Sequence, residues 1–511
     1  MSTILLLALS LVPAAHAGSC STLSIDARVA IFTTAPYFAS FNIDSSTDRS
    51  FFLLNWSSPA LLSAAAGLSG APAHVRFGGT GNNALYYNFS GAPCTPVNAH
   101  TKTCLNETTW AGVAGVAAAA HAPIIFGVNM FPGGRAKNSS AVFDPTNAVQ
   151  FFTRALARGD DIWGVELGNE LGPDSASMTA QEQAAGLLVL DAALARLYGA
   201  APRPVLVGPD ALGFHTPAPT AHRTFVPSAD ILAFMVDFVT AVGPSLRAVT
   251  HHEYIEINQT AVLQPAFLDL TAQIARQVVA AVRAVSSTVE IWAGEIGPHN
   301  GDGGPGDGRP GNCAGNLVCG RWGSALWYAD AMAAKARAGY AAFCRQDLIG
   351  ADYGLLNVTT LAPTPDYWLL AVWQRVVGRG VLAASVDAGG DPRLRAYSFC
   401  GLANGTAVLL LINLAQAESL CVQPPALTTP GSQRTEYVLT PSGEGGGVTA
   451  PGAALNGRPL ALGPGGQLPP LSGRAAPATA PLTLPPLSIT LATFATAADA
   501  CGGVHGEGEG R

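Results

Sequence analysis

Residues 164–170 of this chain read GVELGNE and residues 290–296 read EIWAGEI, so two apolar runs each carry a glutamate at or near their end. These glutamates are Glu170 and Glu295. A carboxylate at the end of a buried strand costs stability unless it is paired or used, because it loses its hydration. Two of them predict a pair of catalytic carboxylates at one mouth of a barrel, which is the arrangement that glycoside hydrolysis requires.

Short apolar runs of the same kind, rich in Val, Ile and Phe, recur along the chain. Runs that are apolar on both faces are typical of parallel strands covered by helices. Eight occur, at 38–44, 74–80, 124–130, 164–170, 205–211, 248–254, 290–296 and 342–348, and helical Ala-rich stretches lie between several of them, at 181–198, 264–286 and 324–338. Eight strand-plus-helix units predict an α/β fold, the (β/α)8 TIM barrel, in which chemistry takes place at the carboxyl ends of the strands.

After about residue 380 the pattern changes to alternating apolar segments separated by turn residues, such as AVLLLINL (407–414) and LSITLATFAT (487–496). This alternation predicts an antiparallel β-sandwich packed on the barrel. We therefore expect a catalytic barrel over 38–378, a C-terminal β-sandwich domain over 379–501 and a disordered tail over 502–511.

The composition excludes several classes of partner. The 511 residues are 49% hydrophobic and only 12% charged, with a net charge of −7. Only three of them are lysines and no basic stripe is present, so nucleic acid is not expected as a partner. No segment after the N-terminal leader has 18 uninterrupted apolar residues, so no membrane span is predicted.

The first 17 residues, MSTILLLALSLVPAAHA, are typical of a secretory signal peptide, with an apolar run before a small-residue cleavage site. Seven Asn-x-Ser/Thr sequons agree with that route, at Asn55, Asn88, Asn106, Asn138, Asn258, Asn357 and Asn404. We expect a secreted, extracellular glycoprotein, or one in a lysosome- or vacuole-like compartment.

Nine cysteines in an oxidising compartment predict disulfide bonds. Cys94 with Cys104, and Cys313 with Cys319, are close enough along the chain to pair locally, whereas Cys344 lies inside the eighth strand and is expected to be a buried free thiol. No CxxC or HxxxH spacing occurs, so neither a metal nor another cofactor is predicted.

Several segments together resemble glycoside hydrolase family 79, which contains heparanases and plant and microbial β-glucuronidases. They are HVRFGGT (74–80), ELGNE (166–170), THHEY (250–254), WAGE (292–295) and PDYWLLAVWQRVVGRGVLAASV (365–386). The resemblance covers nearly the whole chain after the leader. It implies a (β/α)8 barrel with a β-sandwich to which residues 18–37 contribute a strand near Leu23–Ala30. It also implies a disulfide between Cys400 and Cys501.

The resemblance also implies the roles of the two glutamates. Glu170 would act first as general acid and then as general base, and Glu295 would be the nucleophile that forms a glycosyl–enzyme intermediate. Without the resemblance, ion pairing at a barrel rim would be a serious competing explanation for both. Glu166 lies on the same strand face as Glu170 but deeper, and we expect it to pair with Arg76.

Further residues are predicted to bind substrate. Asn169 would hydrogen-bond the sugar 2-hydroxyl, and Tyr254 would hydrogen-bond the nucleophile. Of His251 and His252, one is expected to face the sugar and the other to pack, and we assign the substrate contact to His251. The remaining candidates are Asp44 and Thr80, which would contact substrate or cap the helices that follow, and Gly301, Asp302 and Tyr353, which by resemblance would hold a sugar carboxylate.

The predicted substrate is a glycan that contains glucuronic acid. Heparan sulfate is a dense polyanion that demands clustered Lys and Arg, but LGPDSAS (171–177) and IEINQT (255–260) beside the site contain neither. An exo-β-glucuronidase, with arabinogalactan-type glycans as one candidate substrate, is therefore favoured over an endo-acting heparanase. A non-catalytic glycan-binding homologue and a glycosidase for a neutral sugar are two further hypotheses that fit the pattern less well. We expect a monomer, and a peripheral association with membrane or cell wall stays open.

Overall fold

The structure, a computed structural model, describes residues 20–45, 50–91, 103–131, 143–172, 178–215, 228–255, 257–299, 318–387, 390–425, 431–496 and 501–502. Its helices are α1 (Pro59–Ala66), α2 (Glu107–Ala119), α3 (Thr146–Arg158), α4 (Ala180–Tyr198), α5 (Ala229–Val242), α6 (Pro265–Arg283), α7 (Trp322–Ala338) and α8 (Pro365–Val376). Its strands are β1 (Ser21–Thr33), β2 (Ala39–Asp44), β3 (Val75–Gly78), β4 (Leu85–Tyr87), β5 (Thr103–Leu105), β6 (Ile124–Val128), β7 (Ile162–Leu167), β8 (Val205–His215), β9 (Leu246–Tyr254), β10 (Glu290–Gly297), β11 (Ala342–Arg345), β12 (Val377–Val386), β13 (Leu394–Gly401), β14 (Thr406–Asn413), β15 (Leu420–Gln423), β16 (Gln433–Ser442), β17 (Gly452–Leu455), β18 (Arg458–Pro459), β19 (Arg474–Pro477), β20 (Leu482–Leu484) and β21 (Ile489–Ala495).

Eight parallel strands close into a barrel in the order β10-β11-β2-β3-β6-β7-β8-β9. One of the helices α1 to α8 follows each of these strands. The predicted (β/α)8 barrel is therefore confirmed, with every barrel strand inside or overlapping its predicted run. Among the described residues, no helix is both long and apolar enough to cross a membrane.

Because all barrel strands run the same way, their carboxyl ends meet at one rim. Gln183 on α4 is a buried amide that ties two of these ends together. Its side-chain nitrogen donates hydrogen bonds to the carbonyls of Leu167 (2.7 Å) and Pro209 (2.8 Å). The chain turns just after these carbonyls, so Glu170 and Asp210 emerge side by side at the rim.

The second domain is an eleven-stranded, mainly antiparallel sheet formed by β1 and by β12 to β21. β1 pairs antiparallel with β12 and parallel with β15. The N-terminal segment that was expected to join the sandwich therefore lies in this sheet. The predicted boundary at residue 379 falls inside β12, which follows α8 without a linker.

Strand β14 is apolar on both faces, so it contributes side chains to two apolar clusters, one of which is shared with the barrel. Since successive side chains of a strand point to opposite faces, Leu409 and Leu411 lie in one apolar cluster, with residues of β15 and β20 that fold over them. Val408, Leu410 and Ile412 lie on the other face, in the large core that continues into the barrel. The sheet thus encloses its own core and packs against the barrel.

Two disulfides link distant segments of the sheet domain. Cys400 pairs with Cys501, as the resemblance implied, and Cys20 pairs with Cys421, which the sequence did not predict. Cys344 is a buried free thiol, as predicted. Cys104 and Cys319 are also disulfide-bonded, but their predicted partners, Cys94 and Cys313, lie outside the described residues.

Candidate active site

The structure brings Glu170 and Glu295 together at the carboxyl rim of the barrel. An oxygen of each carboxyl group and a ring nitrogen of His252 all lie within 4.8 Å of one another. Glu170 follows β7 by three residues and has a left-handed backbone, with φ of +54°. Such a conformation is strained for a residue with a side chain, and here the Glu170 N–H donates to the carbonyl of Asp210 at 2.9 Å.

Arg76, on β3, is the fully buried cation beneath the two glutamates. Its Nε donates to Glu166 at 2.8 Å, which confirms the predicted pair, and its Nη1 donates to Glu295 at 2.7 Å. Its Nη2 donates to Asn169 Oδ1 at 2.9 Å and to Asp210. One guanidinium therefore fixes four side chains, because its planar fork of donors cannot rotate away from any of them separately.

Glu295 is held in the ionised form that a nucleophile needs. Its Oε1 accepts the Tyr254 hydroxyl at 2.5 Å, as predicted, and its Oε2 lies 3.8 Å from His252 Nδ1. Burial opposes ionisation, but the charges of His252 and Arg76 and the Tyr254 hydrogen bond outweigh it and lower the pKa of Glu295.

His252, on β9, connects Glu170 to Asp210. Its Nδ1 lies 2.7 Å from Glu170 Oε1 and its Nε2 lies 2.7 Å from Asp210 Oδ1. Burial disfavours the charged ring, yet the carboxylates of Glu295, Asp210 and Glu170 raise the pKa of His252 well above its usual value. This favours the doubly protonated ring, which can donate from both nitrogens.

The assignment of the substrate contact to His251 needs correction. Its fully buried ring faces away from the carboxylates, with Nε2 at 2.8 Å from the Tyr340 hydroxyl and Nδ1 at 3.2 Å from the carbonyl of His252. Side chains alternate along a strand, so the position of Tyr254 in the site places His252 on the same side and His251 on the other. That alternation was the available signal for choosing His252.

Asn169 lies in the site, and its two side-chain atoms differ. Oδ1 accepts from Arg76, whereas the buried Nδ2 donates to no group of the described residues. The Asn169 backbone is fixed by Asn83, whose amide bonds both its N–H (3.0 Å) and its carbonyl (2.7 Å). The predicted contact with a sugar hydroxyl would use Nδ2.

The remaining predicted residues occupy the same rim or lie outside the described residues. Asp44, at the end of β2, accepts a hydrogen bond from Gln346 at 2.8 Å, and Thr80 is the exposed first residue of a 3-10 turn (Thr80–Ala84) rather than a helix cap. The buried Tyr353 ring lies 6.3 Å from that of Tyr254. Gly301 and Asp302 lie outside the described residues.

Asp210 and Asn83 were missed by the sequence-based prediction. Asp210 ends the apolar part of the run VLVGPDA, so the rule that selected the two glutamates would also have selected it. Asn83 follows no strand directly, and its role depends on a backbone contact that only the folded chain shows.

The donor set argues against a metal ion at Glu170, His252 and Glu295, although these three are close enough to surround one. A protonated imidazole has no lone pair to offer, and His252 already donates to two carboxylates. Glu295 is already ion-paired with Arg76 at 2.7 Å.

A closed (β/α)8 barrel with one glutamate just after its fourth strand and an adjacent one near the carboxyl end of its seventh strand defines a class, the barrel glycoside hydrolases. Residues 39–332 match the family described as "Glycosyl hydrolase family 79, N-terminal domain". The chain belongs to glycoside hydrolase family 79 and is a glycoside hydrolase.

Similar proteins agree with this family. The chain is 27% identical to heparanase-like protein 1 of Arabidopsis thaliana over 472 residues, which cover 82% of this chain and 81% of that one. It is 24% identical to baicalin-β-D-glucuronidase of Scutellaria baicalensis over 438 residues, 79% and 76% of the two chains. The crystal structure of a 4-O-α-L-rhamnosyl-β-D-glucuronidase from Fusarium oxysporum shares the fold, with a TM-score of 0.59 at 16% identity, over 93% of this chain and all of that one.

Proposed function

We propose that this glycoside hydrolase is a retaining exo-β-glucuronidase that works by a two-glutamate double displacement. The observation that carries the proposal is the proximity of Glu170 and Glu295, whose oxygens lie within 4.8 Å. Retaining enzymes place their carboxyl groups about 5–5.5 Å apart, whereas inverting enzymes leave a wider gap for water.

In the first step, an oxygen of Glu295 attacks the anomeric carbon while Glu170 donates a proton to the departing glycosidic oxygen. The Tyr254 hydroxyl and Arg76 hold the Glu295 carboxylate from two sides, at 2.5 and 2.7 Å. They thereby fix its orientation before substrate arrives, which lowers the entropic part of the barrier.

In the second step, Glu170 removes a proton from a water molecule that attacks the same carbon, and the bond to Glu295 breaks. The sugar leaves with its original anomeric configuration after two inversions. Asn169 Nδ2, a buried donor without a partner among the described residues, would bind the 2-hydroxyl, and a hydrogen bond there strengthens in the transition state.

Two observations support a glucuronide as substrate. The curated relatives include a protein named as a β-D-glucuronidase, and Tyr353, which by the resemblance would contact the sugar carboxylate, lies beside Tyr254. The absence of Lys and Arg in LGPDSAS and IEINQT favours an unsulfated glycan, such as an arabinogalactan-type glycan, over heparan sulfate. Endo-acting heparanase activity is the second candidate, because the relatives include heparanase-like proteins.

The proposed setting is extracellular or a lysosome- or vacuole-like compartment, where the disulfides Cys20–Cys421 and Cys400–Cys501 persist. We propose a monomer.

The test is hydrolysis of an aryl β-D-glucuronide, followed by NMR to identify the first anomer released. We expect β-glucuronic acid first, and loss of turnover in both Glu170→Gln and Glu295→Gln. The matched control is Glu444→Gln, which changes an exposed glutamate. Release of the α-anomer first would contradict retention. Absence of release from folded protein, with cleavage of heparan sulfate fragments, would favour heparanase activity.

A further inference from the structure

Asp210 constrains Glu170 through two contacts, one to its backbone and one, by way of His252, to its side chain. Its main-chain carbonyl accepts the Glu170 N–H at 2.9 Å, and its carboxylate, through His252, reaches the Glu170 side chain. The two contacts together fix a residue whose backbone is in a strained left-handed conformation. Neither Asp210 nor His252 is needed to describe the double displacement, and both are buried completely or nearly so.

We propose that Asp210 and His252 form a positioning dyad that holds Glu170 by Oε1 and directs its acid function to Oε2 while Glu295 is charged. This inference rests on the proposed double displacement and assigns two further residues to it.

The first argument is the hydrogen-bond pattern of His252. Its two nitrogens lie 2.7 Å from carboxylate oxygens of Glu170 and Asp210, so the ring bridges them as a cation. A charged donor on Oε1 stabilises the carboxylate that remains after Glu170 has given up its proton. Because Oε1 accepts from His252, the proton that reaches the glycosidic oxygen is the one carried on Oε2.

The second argument is the set of charges that face His252 from every neighbouring strand. Glu166 and Glu170 belong to β7 and its following turn, Asp210 to β8 and Glu295 to β10, while Arg76 from β3 is the only other cation in contact with these carboxylates among the described residues. The imidazolium is therefore sustained by surrounding carboxylates, of which Glu295 is the one that the reaction neutralises.

The third argument follows from that neutralisation. When the C1–Oε bond forms, Glu295 becomes an ester and loses its negative charge, so His252 loses one of the charges that keep it protonated. Its hold on the Glu170 carboxylate weakens at the stage when Glu170 must accept a proton from water. The same contact thus supports an acid in the first step and releases a base in the second.

The kinetic test compares aryl β-glucuronides whose leaving phenols differ in pKa. In His252→Gln, assayed on the pH plateau where Glu295 is ionised, we expect kcat/KM to fall about 10²-fold for phenyl glucuronide, within the range of general acid catalysis, but under about threefold for 2,4-dinitrophenyl glucuronide, whose leaving group needs no proton. Asp210→Asn should show a smaller loss with the same dependence. His251→Gln, which changes the histidine on the opposite side of β9, should affect all substrates equally. An equal loss across the series in His252→Gln would overturn the dyad.

A second measurement needs no substrate and therefore separates failure of the dyad from failure of the proposed function. Imidazole nitrogen chemical shifts of ¹⁵N-histidine-labelled protein, assigned by the signals missing in His252→Gln, report the protonation of His252. We expect an imidazolium at pH 7 in the wild-type protein and deprotonation at a lower pH in Glu295→Gln than in the wild-type protein. A neutral ring in the wild-type protein at pH 6, or a titration that Glu295→Gln leaves unchanged, would overturn the proposal.

Discussion

Tyr254→Phe removes one hydroxyl from the candidate nucleophile and leaves the rest of the site in place. In the structure that hydroxyl donates to Glu295 Oε1 at 2.5 Å, from a ring that is 3% exposed. Arg76 and His252 still face Oε2 in the variant, so the carboxylate keeps its two cations. The change therefore isolates the contribution of one buried hydrogen bond to the ionisation of Glu295.

The size of the effect follows from the strength of such a bond. A hydrogen bond to a charged group contributes about 1.5–3 kcal/mol, and about 1.4 kcal/mol corresponds to one pH unit. The bond favours the ionised form, so its loss should raise the pKa of Glu295 by about 1 to 2. Activity requires the carboxylate and is lost as the pH falls through this pKa, so the acid limb of the profile should move to higher pH.

The measurement is kcat/KM for an aryl β-glucuronide with an activated leaving group between pH 3 and 8. The matched control is Tyr328→Phe, because the buried Tyr328 hydroxyl has no hydrogen-bond partner in the described part of the chain. An acid limb that stays in place in Tyr254→Phe, or that moves equally in Tyr328→Phe, would refute the role of this hydroxyl.

Three further predictions concern the acid/base residue and stability. Glu170→Ala should still be glycosylated by an activated aryl glucuronide, and azide should then accelerate turnover and yield the β-glucuronyl azide, detected by NMR; an α-azide would contradict retention. Lys335→Met should lower the free energy of unfolding in urea by about 3–5 kcal/mol, because Glu253 would keep a buried charge without its partner, and the added change Glu253→Gln should restore most of it. Burial lowers the pKa of His74 to about 3, so below pH 6.5 the His74 ring binds a proton in the unfolded chain but not in the folded protein. The free energy of unfolding of the wild-type protein should therefore fall as the pH drops from about 6.5 to 3, and this group should contribute about 1.4 kcal/mol per pH unit. The variant His74→Phe should lack that contribution.

The barrel was predictable because its parallel strands are buried on both faces and so read as uninterrupted apolar runs. The two glutamates stood out for the same reason, because a charged side chain at the end of a buried apolar run lowers stability unless it is paired or takes part in function. Arg76 with Glu166 could be paired because both lie on the inner face of predicted strands at a similar depth.

The rest was missed for two reasons: some signals in the sequence were not applied, and other features depend on contacts between residues far apart in the chain. To choose between His251 and His252, one must know which side of β9 faces the barrel axis. The position of Tyr254, two residues after His252, indicates that side. Asp210 follows a glycine–proline pair that is typical of a turn, and its importance comes from holding Glu170 through both backbone and side chain. The Cys20–Cys421 bond could not be predicted from spacing, because it joins segments that meet only through β1 and β15.

The position of β1 in the sheet means that this strand can pair only late in the synthesis of the chain. The ribosome delivers β1 before any strand of the barrel, yet its antiparallel partner β12 and the cysteine that bonds Cys20 are synthesised only after the barrel is complete. Until then β1 is an unpaired edge whose backbone groups invite wrong pairing. Synthesis from the N-terminus therefore leaves β1 without its partner strand while the barrel forms. A nascent chain released before β12 is made would keep an unpaired β1.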